Sequence, residues 1–424
     1  MMNIKTIDIQ NYRGIEKLHM EFEEGVNLLI GNNGAGKTSL LNAIAIMLRE
    51  SLRHLSVDYL TDIDTDDAYQ TTSLIGESVV NTEAHYPINI ESTITWNREK
   101  YICKRIKENE AAIPQTENYE LAQVFKESIG KAEAFLPVLC YFPAQRGKLK
   151  RNNNDSINLS MGEPQRIQGY AGAFSGAQSL DKIQQWCVQM EFAEYQKKGR
   201  IKEYATFQSI VSFFCSIIDK KSTNPKIYYS STKGSIVYFD GTEEKSIYQL
   251  SDGYQAALCM IIELAYRAVL LNPSVTDLAK NAEGIVLIDE IEMHLHPGWQ
   301  WIILDAIQQT FPKMQFIVAT HSPIILSSAK HATLYLMKSP NEVVKLHNAY
   351  GYSVDDVLSL LQGTVYQPEK IMGYYNKIEE ILDSGTEDDL QALLAKAKSE
   401  LKESPDALKG ILDFAEINRW VEEA

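Results

Sequence analysis

The 424-residue chain sets 41 Lys and Arg against 56 Asp and Glu, a formal charge of −15, and is 45% hydrophobic. That apolar share is enough to fill the cores of two or three domains, while the acidic balance excludes a surface that coats nucleic acid by bulk electrostatics. Its five cysteines (Cys103, Cys140, Cys187, Cys215 and Cys259) show no CxxC spacing, no charged-then-apolar leader opens the chain, and no apolar run reaches the roughly 18 residues of a membrane span, so a reducing, cytoplasmic setting without a direct membrane role is expected.

In chain order, Asn11-Tyr12-Arg13-Gly14 comes first, followed by the apolar run Val26-Asn27-Leu28-Leu29-Ile30, which predicts a buried strand. Gly31-Asn32-Asn33-Gly34-Ala35-Gly36-Lys37-Thr38 then fits G-x-x-x-x-G-K-[ST], and Ser39 to Leu48 is helix-forming. Strand, glycine turn and helix in that order let backbone N–H groups converge on phosphate oxygens, with Lys37 at the β and γ phosphates and the Thr38 hydroxyl on Mg²⁺. ATP or GTP is the expected ligand. A plain glycine-rich turn is the alternative, but Lys-Thr entering a helix at that offset is hard to obtain from turn chemistry alone.

Asp62 to Asp67 is an acidic tract without apolar period and reads as a loop, whereas Ile88 to Ile106 alternates as hairpin strands do, predicting an antiparallel arm beside the nucleotide. After the apolar run Leu136 to Cys140 comes Tyr141-Phe142-Pro143-Ala144-Gln145-Arg146-Gly147, where Gln145 at a strand end could reach Mg²⁺ or the lytic water and Arg146 is a rival for that role. Arg146 to Arg151 and Lys197 to Lys202 are local basic stretches able to touch phosphate, although charge runs are also ordinary solvated faces. Past Arg151-Asn152-Asn153-Asn154-Asp155, the residues Ile183, Trp186, Met190, Phe207, Ile210, Phe213, Phe214 and Ile217 recur at helical spacing. They predict a helical lobe far shorter than a long heptad arm.

Leu250-Ser251-Asp252-Gly253-Tyr254-Gln255 precedes an apolar helix, Ala256 to Leu271, so Ser251 and the first amides of that helix present a second anion site; Ser251 can serve as N-cap as well. Gly284-Ile285-Val286-Leu287-Ile288-Asp289-Glu290 reads as a central strand ending in two carboxylates, Asp289 for Mg²⁺ and Glu290 to polarise the attacking water. Phe316 to Pro323 is another strand, ending in His321, a γ-phosphate sensor or a structural histidine. Thr333 to Met337 and Glu342 to Leu346 would close the sheet. From Ser353 on the pattern is helical, with Ile371, Tyr374, Ile378 and Leu382 on one face, Leu390, Leu393, Leu394, Ala397 and Leu401 on another, and Thr386-Glu387-Asp388-Asp389 as a cap.

P-loop, Gln loop, Leu-Ser-x-Gly signature, carboxylate-ended Walker B strand and switch histidine, in that order, resemble the ATP-binding-cassette superfamily. Asn11-Tyr12-Arg13-Gly14 and the run Asp289-Glu290-Ile291-Glu292-Met293-His294-Leu295-His296-Pro297 are similar to its RecF/SMC/OLD branch, and Met1 to Leu48 with Leu250 to Leu326 carry the match. The resemblance implies an α/β, ABC-type (RecF/SMC-like) P-loop ATPase with a β arm, a helical insertion and a helical C-terminal tail. Its parts would be residues 1–147 as the N-terminal ATPase half, 148–235 as the lobe, 236–350 as the C-terminal half and 351–424 as the tail.

The same resemblance implies ATP and Mg²⁺ as cofactors, with Glu290 and His321 catalytic and Thr38, Asp289 and Gln145 on the metal. Nucleotide contacts would come from Arg13, Asn33, Gly34, Gly36, Lys37, Thr38, Ser39, Gln145, Ser251 and Gly253. ATP would be sandwiched in a head-to-head homodimer or higher oligomer, with the segment after Walker B meeting the second protomer. Glu292-Met293-His294-Leu295-His296 stands where the branch places that segment, which disfavours reading its histidines as a metal site. OLD-type relatives carry a nuclease in the tail; here Asp355-Asp356 and Asp388-Asp389 stand at helix starts, where acids act as dipole partners, so no intrinsic nuclease is expected. That arrangement resembles the ATPase subunit of two-gene phage-defence systems of the Septu type, implying an HNH endonuclease partner and contact with DNA. A DNA-repair clamp or loader is the rival, distinguished by nucleotide-dependent binding of junctions or gaps. A transporter's ATPase subunit is disfavoured by Asn11 to Gly14, the lobe and Asp252.

Overall fold

A computed structural model describes residues 1–55, 62–75, 79–131, 133–144, 166–174, 180–220, 222–346, 350–351, 369–384, 386–401, 408 and 411–412. The chain divides into two compact units, Met1–Val357 and Leu358–Ala424. Residues 1–350, expected to hold two ATPase halves and a lobe, all fall within the first unit.

That unit opens with β1 (Asn3–Tyr12) and β2 (Ile15–Glu21), an antiparallel pair, then β3 (Val26–Ile30), buried at every residue, which leads through the glycine loop into α1 (Lys37–Glu50). β4 (Tyr69–Ile75) and β5 (Val79–His85) make a separate hairpin. β6 (Ile88–Trp96) and β7 (Glu99–Lys107) make another, closed by Asn97 and Arg98 at φ of 53° and 70°, the left-handed pair that matches strand twist in a two-residue turn. β6 also pairs with β1, and β7 with β8 (Gln115–Glu117), giving the five-stranded order β2-β1-β6-β7-β8. The expected arm is thus the interior of a sheet. Its apolar face explains this: Ile88, Ile90, Ile94 and Trp96 are buried, and Trp96 packs on Phe125 of α2 (Glu120–Ile129) with ring centroids 4.7 Å apart.

The rest of the unit supplies β9 (Val138–Phe142), α3 (Leu180–Lys197), α4 (Lys202–Ile218), a small sheet of β10 (Lys226–Ser230), β11 (Ser235–Phe239) and β12 (Glu244–Ser246), then α5 (Asp252–Leu271) and α6 (Leu278–Asn281). It ends with β13 (Glu283–Ile288), α7 (Pro297–Gln300), α8 (Ile303–Thr310), β14 (Lys313–Ala319), α9 (Pro323–Ser328), β15 (Ala332–Ser339) and β16 (Glu342–Leu346). The main sheet runs β16-β15-β3-β14-β13-β9, parallel except for β16. Its central strands read as continuous apolar runs because both faces are covered.

The two large sheets are stapled by Gln315: its Oε1 accepts from Ile4 N at 2.8 Å, and its Nε2 donates to the carbonyls of Ile4 and Glu23 at 3.0 and 2.8 Å. α5 is long and apolar enough to cross a membrane, at a mean hydropathy of 1.4, but 78% of that window is buried inside the unit. It is a core helix, carrying a buried Arg267–Glu263 pair at 2.6 Å. In the lobe, Ile183, Trp186, Phe207, Ile210 and Phe214 are buried as the spacing predicts, Met190 and Ile217 are half-buried, and Phe213 is exposed. Thr65–Asp67, within the predicted acidic loop, forms a 3-10 turn capped by Asp64.

The second unit is a helical hairpin, Glu369–Ser384 and Glu387–Glu400, with Thr386 and Asp389 forming the predicted cap. Tyr374, Ile378, Leu390, Ala397 and Leu401 form its core with Ile411, and Leu393 and Leu394 pack against them. The side chains of Ile371 and Leu382, and Asp355-Asp356, lie outside the described residues.

Candidate active site

The C-terminal ends of β3, β13 and β14 meet at one edge of the main sheet, where open parallel sheets place ligands. Three glycines bend the loop after β3: Gly31, Gly34 and Gly36 have φ of 148°, 82° and 92°. A Cβ on Gly31 would stand 2.3 Å from the Met337 carbonyl, and one on Gly36 3.2 Å from Pro340, whereas at Gly34 nothing lies within 4 Å. The loop is therefore pressed against β15 on one side and open at Gly34 and the exposed Asn33 on the other. That concavity, at the N-terminus of a 14-residue helix, suits a phosphate chain.

Lys37 is 6% exposed, and its Nζ donates to the carbonyls of Gly31 at 2.8 Å and Asn32 at 3.0 Å. Burial draws its ammonium down to about 8, against the pull of Asp289, Glu292 and Glu290. Thr38 Oγ1 donates to Asp289 Oδ2 at 2.7 Å, joining residues 251 apart in sequence. Asp289 is buried, and its backbone N is held by the Phe142 carbonyl at the end of β9 at 2.8 Å. A hydroxyl and a buried carboxylate at hydrogen-bond distance form an oxygen donor set of the kind Mg²⁺ accepts, so the residues fit the metal expected there. Ser39, half-buried, follows in the first turn of α1.

Glu290 has φ of 48°, a left-handed conformation that costs a non-glycine residue about 1 kcal/mol or more. His321 is half-buried; burial and then the Lys37 charge lower its imidazole, opposed by Glu292, Glu290 and Asp289. Arg13, at φ 50°, is latched to Asp67: its backbone N donates to the Asp67 carbonyl at 2.6 Å and its Nε to Oδ1 at 2.7 Å. Gly14 and Gly36 both border Pro340, which brings the Arg13 turn alongside the glycine loop. Gln145 and Arg146 lie outside the described residues.

Ser251 is the exposed N-cap of α5, in extended conformation. Gly253 packs so closely on the segment after Walker B that a Cβ would meet the His294 carbonyl at 2.3 Å. Ser251 to Tyr254 with His294, His296 and Trp299 line a cavity of about 550 Å³. His296 caps α7, its Nδ1 accepting from Gly298 N at 3.1 Å. Among the described residues no group of three His, Cys, Asp or Glu is gathered as a metal site.

Sequence reading placed Glu292 only in the segment expected to meet a second protomer and gave no role to Gln300 or Thr320, yet these three tie that segment to the histidine. Glu292 accepts from Thr320 Oγ1 at 2.7 Å and from His321 N at 2.6 Å. Gln300 accepts from Ser322 Oγ at 2.6 Å and donates to the Leu295 carbonyl at 3.0 Å. The only signal was the carboxylate three residues beyond Asp289, and its partners lie about thirty residues downstream.

Residues 6–245 match the AAA domain family, and a second AAA domain family covers residues 198–327. The Retron Vc95 probable ATPase of Vibrio cholerae serotype O1 biovar El Tor is 25% identical over 91% of this chain and 85% of its own length. Septu protein PtuA of Bacillus thuringiensis is 24% identical over 86% of this chain and 85% of its own length. Among solved structures, the Smc head domain with a coiled coil and joint derived from Pyrococcus yayanosii aligns at a TM-score of 0.49 and 12% identity, covering 85% of this chain and 99% of that one.

Proposed function

This chain belongs to the AAA domain family and is an ABC-like P-loop ATPase related to retron and Septu ATPases; on that premise we propose that it hydrolyses ATP with Mg²⁺ as the regulatory subunit of a cytoplasmic anti-phage defence complex. In this reading a separate HNH-type endonuclease does the cutting, and the complex contacts DNA. The observation that supports the site most is the 2.7 Å Thr38–Asp289 pair, which brings P-loop and Walker B together with the Lys37 ammonium in the same loop.

Each residue then has one task. Backbone amides of Asn33, Gly34, Gly36 and Ser39 cradle the phosphates, and Lys37 leaves its carbonyl partners for the β and γ oxygens. Thr38 and Asp289 would hold Mg²⁺, which when bound supplies neutralising charge at those oxygens. Glu290 orients and polarises the attacking water, and His321 donates a hydrogen bond to the γ-phosphate. Arg13 reaches toward the phosphates from its Asp67 latch. Ser251 and Gly253 present the α5 N-terminus to a nucleotide held by a second copy of the chain.

Lys37→Ala is expected to abolish binding of a fluorescent ATP analogue; binding equal to the parent's sinks the P-loop assignment. Glu290→Gln is expected to keep that binding while turnover falls by about 10²-fold or more, the contribution of a positioned base. Unchanged turnover in that variant would remove Glu290 from the mechanism.

A further inference from the structure

The strand-end histidine does not hold its own position. His321 follows Thr320, which is fully buried and anchored to the sheet through its N–H on the Leu29 carbonyl at 3.1 Å. Beyond that anchor, the Thr320 hydroxyl and the His321 N–H turn to the residues after Walker B. The Glu292 carboxylate receives the Thr320 hydroxyl on one oxygen and the His321 N–H on the other, at 2.7 and 2.6 Å. The Thr320 hydroxyl in turn accepts from Ser322 N at 3.0 Å, so one carboxylate fixes three successive residues. Glu292 is itself set on both sides: the neighbouring Ile291 N donates to the Ala319 carbonyl at the end of β14 at 3.3 Å, and within its own turn the Glu292 carbonyl accepts from Leu295 N at 2.9 Å.

We propose that Glu292 is a positioning residue for the ATPase reaction, a two-oxygen clamp that aims His321 at the γ-phosphate. It is distinct in kind from Glu290, two residues earlier. Glu290 must be a carboxylate because it polarises water; Glu292 needs only two correctly spaced hydrogen-bonding atoms, because what it supplies is geometry. An arm's-length displacement of a catalytic group by about 1 Å is enough to cost a large factor in rate. The inference rests on the ATPase reading of the site and on His321 acting within it.

The two carboxylates separate by substitution. Glu292→Ala in the full chain is expected to lower kcat about tenfold or more while the affinity for a fluorescent ATP analogue and the KM for ATP stay within about twofold. Glu292→Gln keeps an acceptor for His321 N–H and offers its amide to the Thr320 hydroxyl, so it is expected to restore most of the rate, whereas Glu290→Gln stays inactive. His321→Ala supplies the decisive background: once the histidine is gone, Glu292→Ala should cost nothing further, since groups acting as a unit are not additive. If Glu292→Ala unfolds the chain, Thr320→Val removes one arm of the clamp while the His321 N–H arm on Glu292 stays, and is expected to show a smaller kcat loss that likewise disappears in the His321→Ala background. Glu292→Gln as slow as Glu292→Ala, or a full additive loss on top of His321→Ala, overturns the clamp. A parent chain without ATPase activity, or a His321→Ala variant with full activity, would instead overturn the reading of the site on which the clamp depends.

Discussion

Two glycines in the site are required for different reasons, and substituting each with alanine separates conformation from contact. At Gly34 the backbone is left-handed, φ 82°, with nothing within 4 Å of a built Cβ, so Gly34→Ala meets only the conformational cost of about 1–2 kcal/mol. Its methyl would point into the space read as the phosphate cradle, so nucleotide affinity should fall more than stability does. At Gly253 the obstacle is the His294 carbonyl at 2.3 Å, a backbone atom that cannot swing aside. Gly253→Ala is expected to lose about 1–3 kcal/mol by overpacking, read as a lower Tm, with the P-loop's nucleotide affinity unchanged. The reverse pattern, a stable Gly253→Ala and a melted Gly34→Ala, would mean the two turns have been misjudged. Only one of the two positions was legible for its true reason. Gly34 sits in a motif whose spacing states its chemistry, whereas the crowding at Gly253 comes from a loop about forty residues away.

Elements read well from the sequence where burial covers both faces, and poorly where pairing is short or polar. β3, β13 and β14 are apolar runs that could hardly lie elsewhere than in a central parallel sheet. β10 to β12 escaped notice because they are three to five residues long and carry Lys226, Glu244 and Lys245; their pairing is decided by the helices they lie against. The β6–β7 hairpin was legible as a hairpin but not as an interior one, since nothing local says that β1 will pair with it.

The acidic tract before it shows a further gain from structure. Asp62 is not loop filler: its carboxylate accepts from Arg105 Nη2 at 2.6 Å and Nε at 3.2 Å and faces Arg49 at 3.2 Å, beside the buried Glu50 at the end of α1. Burial alone would raise its carboxyl, but the Arg105 hydrogen bonds and the Arg49 and Arg105 charges outweigh it and hold the carboxyl below its ordinary value. A depressed acid stabilises the fold above its unfolded pKa and loses that contribution as pH falls through the folded value. The Tm difference between the parent and Asp62→Asn should therefore be largest near neutral pH and shrink from about pH 5 downward. A difference that grows with acid would show that the carboxylate is not paired as the distances indicate.

At the scale of the whole molecule, the tail forms a unit with its own small core. The stripe Leu390, Leu393, Leu394 and Leu401, read from sequence as one helix face, packs with Tyr374 and Ile378 of the other helix of the hairpin. Leu390→Asp should therefore melt the hairpin, and on the proposed reading a partner would be met by another surface. In the tail, Asp389 closes a capping box with Thr386. On the proposed reading, cleavage comes from another chain. Purified alone with Mg²⁺ or Mn²⁺, this protein is expected to leave plasmid and single-stranded DNA intact, whereas co-expression with its genomic neighbour is expected to give a stable complex that cuts. The Glu290→Gln chain, which binds ATP without releasing it by hydrolysis, should show ATP-dependent head-to-head association by light scattering where the parent shows less. Association indifferent to ATP would detach the signature at Ser251 and Gly253 from the nucleotide of a second copy. Metal-dependent cutting by the lone chain, abolished by substituting a carboxylate of its own tail, would make the protein the nuclease and not its regulator.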